Sequence, residues 1–128
     1  GIEWFQAHWS AQPIIRSQEN IPPDIRESMQ KRRGVNQPAG LAGSLRGMGQ
    51  GAADPVWSQL KDICVPTLLI TGAQDLRYTE IATRAAQLLP SARHINVKNA
   101  GHCTHLEAIE PVVLAIQAFM GDLSNKGP

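Results

Sequence analysis

Nine residues, NAGHCTHLE at 99 to 107, bring together two histidines, a cysteine and a glutamate. Three chemistries suit such a set: metal binding, thiol nucleophilicity and proton transfer. A tetrahedral metal site needs a third and fourth ligand beyond a His-x-x-His pair. Cys64 and His94 are the spare candidates for His102, Cys103, His105 and Glu107, and neither stands at ligand spacing. No metal is therefore expected, and His105 reads as a packing or supporting residue. Cys103 adjoins His102, but neighbouring residues seldom face each other productively, so it is set aside as a nucleophile. Proton transfer remains, with His102 as its carrier.

A histidine base needs a carboxylate on its other nitrogen to hold the tautomer and stabilise the imidazolium. The stretch TGAQDLRY offers Asp75, three residues beyond Gly72. Alone, an Asp after a strand is usually a turn residue or a helix cap, and a lone His after Gly is often structural. Here each follows a glycine at the end of an expected strand, in the order Asp then His. That joint pattern favours a working pair, Asp75 and His102. A serine nucleophile is harder to find. Ser44 stands in the right order, yet Ala42 and Arg46 occupy the glycine positions of G-x-S-x-G, and no strand precedes it. The nucleophile is expected to lie outside this chain.

The elements that would carry the pair fall in residues 56–122. CVPTLLITG, bounded by Pro66 and Gly72, reads as a strand buried on both faces. TEIATRAAQLLP follows as a helix with Ile81, Ala85, Leu88 and Leu89 inward. ARHINV is a second strand, and EPVVLAIQAFM a closing helix with Val112, Val113, Ile116 and Phe119 or Met120 as its core face. Strand, helix, strand, helix predicts α/β architecture with parallel strands, and chemistry gathers at the carboxyl ends of such strands. Two parallel strands are no core by themselves. The sheet is therefore expected to be completed by a missing N-terminal part of the fold or by a second chain.

Residues 1–55 follow a different pattern. Ile2, Phe5 and Trp9 recur at helical spacing until Pro13 stops the run. PPDIRESMQKRRG has prolines at its start and a glycine at its end, as a helix should. With only Ile25 and Met29 apolar, it belongs on the surface. PAGLAGSLRGMG aligns Leu41, Leu45 and Met48, and its glycines weaken it as an isolated helix. The tail 123–128 reads as flexible.

Bulk properties exclude several classes. The chain has 128 residues, 42% of them hydrophobic and 18% charged, with a net charge of +1. That charge makes no electrostatic case for nucleic acid or an anionic membrane surface. No apolar run reaches the length of a membrane span. Two cysteines, Cys64 and Cys103, form no disulfide framework; buried or site-lining free thiols in a reducing, cytoplasmic setting are expected. Gly1 is not a start residue, so the chain is read as beginning inside a longer protein or after a removed tag.

VPTLLITGAQD, followed at a distance by NAGHCTHLEAIEPV and an amphipathic helix, resembles the carboxyl-terminal part of the α/β-hydrolase fold. The resemblance covers residues 64 to 120 and implies Asp75 as triad acid and His102 as base. In the first half, HWSAQPII and LAGSLRGMGQGAADPVWSQL resemble the helical cap, or lid, of the 2-succinyl-6-hydroxy-2,4-cyclohexadiene-1-carboxylate synthase family, lyases of menaquinone biosynthesis that eliminate pyruvate. In that family a tryptophan in W-Y-x-x-P lines the pocket. Here it would be Trp9, with Ser10 in place of the tyrosine and Pro13 kept. A cap arginine there binds a substrate carboxylate; the matching position is Arg33, with Arg32 beside it. From the residues alone, KRRG also reads as a solvated helix end and Trp9 as a core side chain. The resemblance implies no cofactor, a small carboxylate substrate, and a chain inert without its serine. Two other readings stay open: an ester or C–C hydrolase of the same fold, and a non-catalytic α/β module that completes its sheet with a partner.

Overall fold

The computed structural model describes residues 1–125. Five helical segments come first. They are α1 (Ile2–Ser10), α2 (Pro13–Arg16), a 3-10 turn (Ser17–Asn20), α3 (Pro23–Gly34) and α4 (Pro38–Met48). A second 3-10 turn (Trp57–Asp62) leads to β1 (Thr67–Gly72), α5 (Leu76–Leu88), β2 (Ala92–Val97), α6 (Thr104–Glu107) and α7 (Ile109–Ser124). Proline opens α2, α3 and α4, where its missing N–H has no helical partner to lose. The closing helix reaches Ser124, and residues 126–128 of the expected tail lie outside the described residues. Among the described residues no helix is long and apolar enough to cross a membrane.

β1 and β2 pair in parallel, from Thr67 opposite Ala92 to Gly72 opposite Val97. Successive side chains of a strand point to opposite faces. One face is apolar: Ile70, Ile95 and Val97 pack with Ala100, Ala108 and Val112, which seats α7. The other face, under α5, is mixed: Leu69 shares it with a polar set. Thr71 Oγ1 lies 2.8 Å from His94 Nε2, and Thr79 of α5 donates to Thr71 at 3.2 Å and accepts from Asn96 Nδ2 at 3.0 Å. The expectation that both strands are apolar on both faces is thereby corrected for β2, whose His94 and Asn96 face α5. Leu68, Leu69 and Ile70 are only half-buried, because among the described residues the sheet has two strands.

The inward faces of the helices also differ from expectation. On α5, Ala82 and Leu89 at its end are buried, while Ile81 and Leu88 are exposed. On α7 the inward line is Val112, Ala115 and half-buried Phe119; Val113, Ile116 and Met120 are exposed. A two-stranded sheet is narrow and covers one stripe of each helix, so the second apolar stripe has nothing against it. α4 shows the same effect, with Leu45 and Met48 exposed. In the helical half, burial concentrates instead on Ile15 and Ile21, beside the turn that faces the α/β half.

Candidate active site

The site is built where both strands end. β1 stops at Gly72, and a Cβ there would collide with the backbone carbonyls of Ala100 and Gly101. Glycine is required for this close approach, not for an unusual φ. The two loops are then laced together: Ala73 N–H donates to Val97 O at 2.9 Å and Gln74 N–H to Ala100 O at 2.9 Å. Asn99, at φ 60°, turns the chain out of β2, a left-handed conformation that asparagine tolerates. Ala100 behind it is fully buried and anchors the loop in the core.

Asp75 is the N-cap of α5. Its Oδ1 accepts from Tyr78 N–H at 3.1 Å, and its Oδ2 lies 2.7 Å from His102 Nδ1. The carboxylate is 5% exposed and the imidazole 36%. A buried acid therefore holds one nitrogen of a ring whose other edge reaches solvent. With Nδ1–H donating to the carboxylate, Nε2 is the nitrogen free to take a proton. Tyr78 packs edge-on to the imidazole, ring centres 4.7 Å apart, and its hydroxyl accepts from Gln50 Nε2 at 2.7 Å. The ring is thus fixed by a carboxylate and by an aromatic neighbour, itself tethered to the segment after α4.

Asp75 and His102 share a hollow of about 340 Å³ with Pro13, Ile14, Arg16 and Ser17 of the helical half. Trp9 and Arg33 come together elsewhere, in a mainly apolar hollow of about 250 Å³ with Phe5, Leu41 and Ser44. Trp9 is 44% exposed and stacks on Phe5. Arg33 is half-buried and donates to Gln18 Oε1 at 2.8 Å, whereas Arg32 is exposed and folds back on Ser28. Arg16, which pattern reasoning passed over, is the cation on the wall of the histidine hollow. A third hollow of about 450 Å³ runs from Arg16 to Arg33.

The remaining candidates separate clearly. Ser44 lies on the Trp9 hollow. Ser17 lines the histidine hollow, but its hydroxyl donates to Glu107 at 2.9 Å. His105 is exposed, against the expectation that it packs. Cys64 is exposed as well, while Cys103 is half-buried. Burial pushes the Cys103 thiol up, the Glu107 carboxylate pushes it the same way, and Arg33 pulls it back. Its thiol form is favoured at neutral pH, which disfavours nucleophilic use. Glu107 has both oxygens engaged by donors. Sequence reasoning had weighed it only as a metal ligand and missed what those donors are.

Parallel strands that deliver an acid and a histidine from successive carboxyl ends, flanked by α5 and α7, make this the C-terminal portion of an α/β-hydrolase fold. Within that fold, the chain is similar to the putative 2-succinyl-6-hydroxy-2,4-cyclohexadiene-1-carboxylate synthase of Bacillus subtilis (strain 168). The two are 40% identical over 107 residues, covering 84% of this chain and 39% of that protein. The structure of MenH from S. aureus matches with a TM-score of 0.90 and 31% identity over 95% of this chain and 46% of that one. Protein PHYLLO, chloroplastic, of Arabidopsis thaliana is 26% identical over 133 residues, covering 98% of this chain and 8% of its own length. The chain spans less than half the length of each of these proteins. No family model matches it.

Proposed function

We propose that this chain supplies the acid and the base of a Ser-His-Asp lyase that eliminates pyruvate from a cyclohexadiene polycarboxylate, a step of menaquinone or phylloquinone biosynthesis. The observation that carries this reading is the 2.7 Å contact between buried Asp75 and half-open His102, in a chain 40% identical to the Bacillus subtilis synthase. The serine and the oxyanion donors would come from the rest of the fold, which would also complete the sheet. In this scheme His102 Nε2 takes the serine proton while Asp75 stabilises the imidazolium. The serine oxygen then removes a substrate proton, and the C–O bond to the departing unit breaks. His102 gives its proton to that unit, which leaves as pyruvate, and backbone N–H groups stabilise the developing oxyanion.

Cations supply the substrate preference. A guanidinium presents a planar fork that fits a carboxylate. Arg33 and Trp9 form one wall by resemblance, and helices α1 to α4 act as the lid. The 450 Å³ hollow between Arg33 and Arg16 supports a path from that wall toward His102. The test is product analysis on the full-length protein. Pyruvate release that is lost in Asp75→Asn and His102→Ala supports the lyase. Ester or C–C hydrolysis without pyruvate would replace it with a hydrolase of the same fold.

A further inference from the structure

Glu107 ends the one-turn helix α6, five residues after His102, and its carboxylate turns back over the histidine loop. Oε2 accepts from Gly101 N–H at 2.7 Å, and Oε1 accepts from Cys103 N–H at 2.9 Å. The two amides bracket His102. A third donor, Ser17 Oγ, reaches Oε1 at 2.9 Å across 90 residues of chain. Ser17 also packs so closely on Gly101 that a Cβ at Gly101 would collide with its side chain. A carboxylate that merely caps a short helix would stop at the N–H of its N-cap residue, here Cys103; the bonds from Gly101 N–H and Ser17 go beyond that. This one holds the backbone on both sides of one imidazole and joins it to the helical half.

We propose that Glu107 is a positioning residue for His102, clamping the loop so that the imidazole meets Asp75, and that Ser17 ties the helical half to this clamp. The proposal rests on the acid–base reading of His102. Three donors converge on Glu107, so the position calls for an acceptor-only group. A glutamine would turn an amide N–H toward one of them, leaving a repulsive contact where a charge-assisted hydrogen bond stood. The loop would then shift, and small misplacements of a reacting group carry large rate costs. The same carboxylate adds to the upward push on the Cys103 thiol, as a charge seated against this loop should.

Glu107→Gln and Ser17→Ala, made in the full-length protein, test it. In Glu107→Gln, kcat for pyruvate release is expected to fall about 10- to 100-fold with KM little changed. The low-field NMR signal of the His102 Nδ1 proton should broaden or vanish, and the Gly101 and Cys103 amides should exchange faster, while cooperative unfolding persists. Ser17→Ala should lower kcat by a smaller factor and leave the Gly101 amide protected. A folded Glu107→Gln with unchanged kcat and unchanged Nδ1 signal overturns the clamp; a Ser17→Ala protein identical to the parent overturns the tether. If Glu107→Gln does not fold, Glu107→Asp decides by the same readouts, because it keeps the charge but falls a methylene short. Absence of pyruvate release in the parent protein defeats the lyase reading alone, since the proton signal and the amide exchange still judge the clamp.

Discussion

Asp75 meets two demands at once. One oxygen caps α5 through Tyr78 N–H and the other holds His102. The choice between helix cap and histidine partner therefore does not arise: the same carboxylate serves as both. Asp75→Asn separates them. Asparagine still caps a helix, but its amide N–H facing Nδ1 forces the wrong imidazole tautomer. Thermal stability should change little while kcat in the full-length protein falls on the order of a thousandfold or more. Comparison of the unfolding midpoint with the turnover rate checks this. Cys103 supports a second residue-scale prediction. Its thiol is raised in the folded state, so its contribution to stability is full below the ordinary thiol range and is lost as pH rises from that range through the raised folded value. Denaturant midpoints should decline on the alkaline side, and Cys103→Ser should flatten that decline. Exposed Cys64 should be alkylated before Cys103, as mass mapping would read.

At the scale of elements, the decisive fact is how closely two loops pass. Gly72 sits against the carbonyls of Ala100 and Gly101, and backbone cannot give way as a flexible side chain can. Gly72→Ala should cost about 1–3 kcal/mol in denaturant unfolding, as overpacking does. It should also weaken the His102 Nδ1 proton signal, because any shift that admits the methyl moves Asp75 and His102 apart. α7 is held differently, by Val112 and Ala115 on the sheet and by a 2.6 Å pair between Arg93 and Asp122. That pair is half-exposed, and its loss should barely move stability.

For the whole molecule, the contrast lies between its halves. α1, α3 and α4 contain no buried residue, whereas the strands and α7 share a continuous core. Segments with few buried contacts open at low free energy. Backbone amides of α3 and α4 should exchange well before those of β1 and β2, as hydrogen-exchange mass spectrometry would report. Val113, Ile116 and Met120 on α7 and Leu45 and Met48 on α4 leave broad apolar surface uncovered. In the full-length protein these side chains should become protected, and the chain on its own should release no pyruvate.

From the sequence alone, the parallel α/β order, both strands and the acid–histidine pair could be read. Those features rest on local signals: short strand-like stretches, a glycine after each, and a polar residue within three positions of that glycine. The stripe of each helix that faces inward could not be read this way. Periodicity marks Ile81, Leu88, Val113 and Ile116 as apolar, but burial depends on how much sheet lies beneath them. Nor did spacing show that Trp9 and Arg33 share one hollow while Arg16 stands beside His102. Glu107 escaped for the same reason. Its partners are two backbone amides and a serine 90 residues away, and only folding brings those donors to one carboxylate.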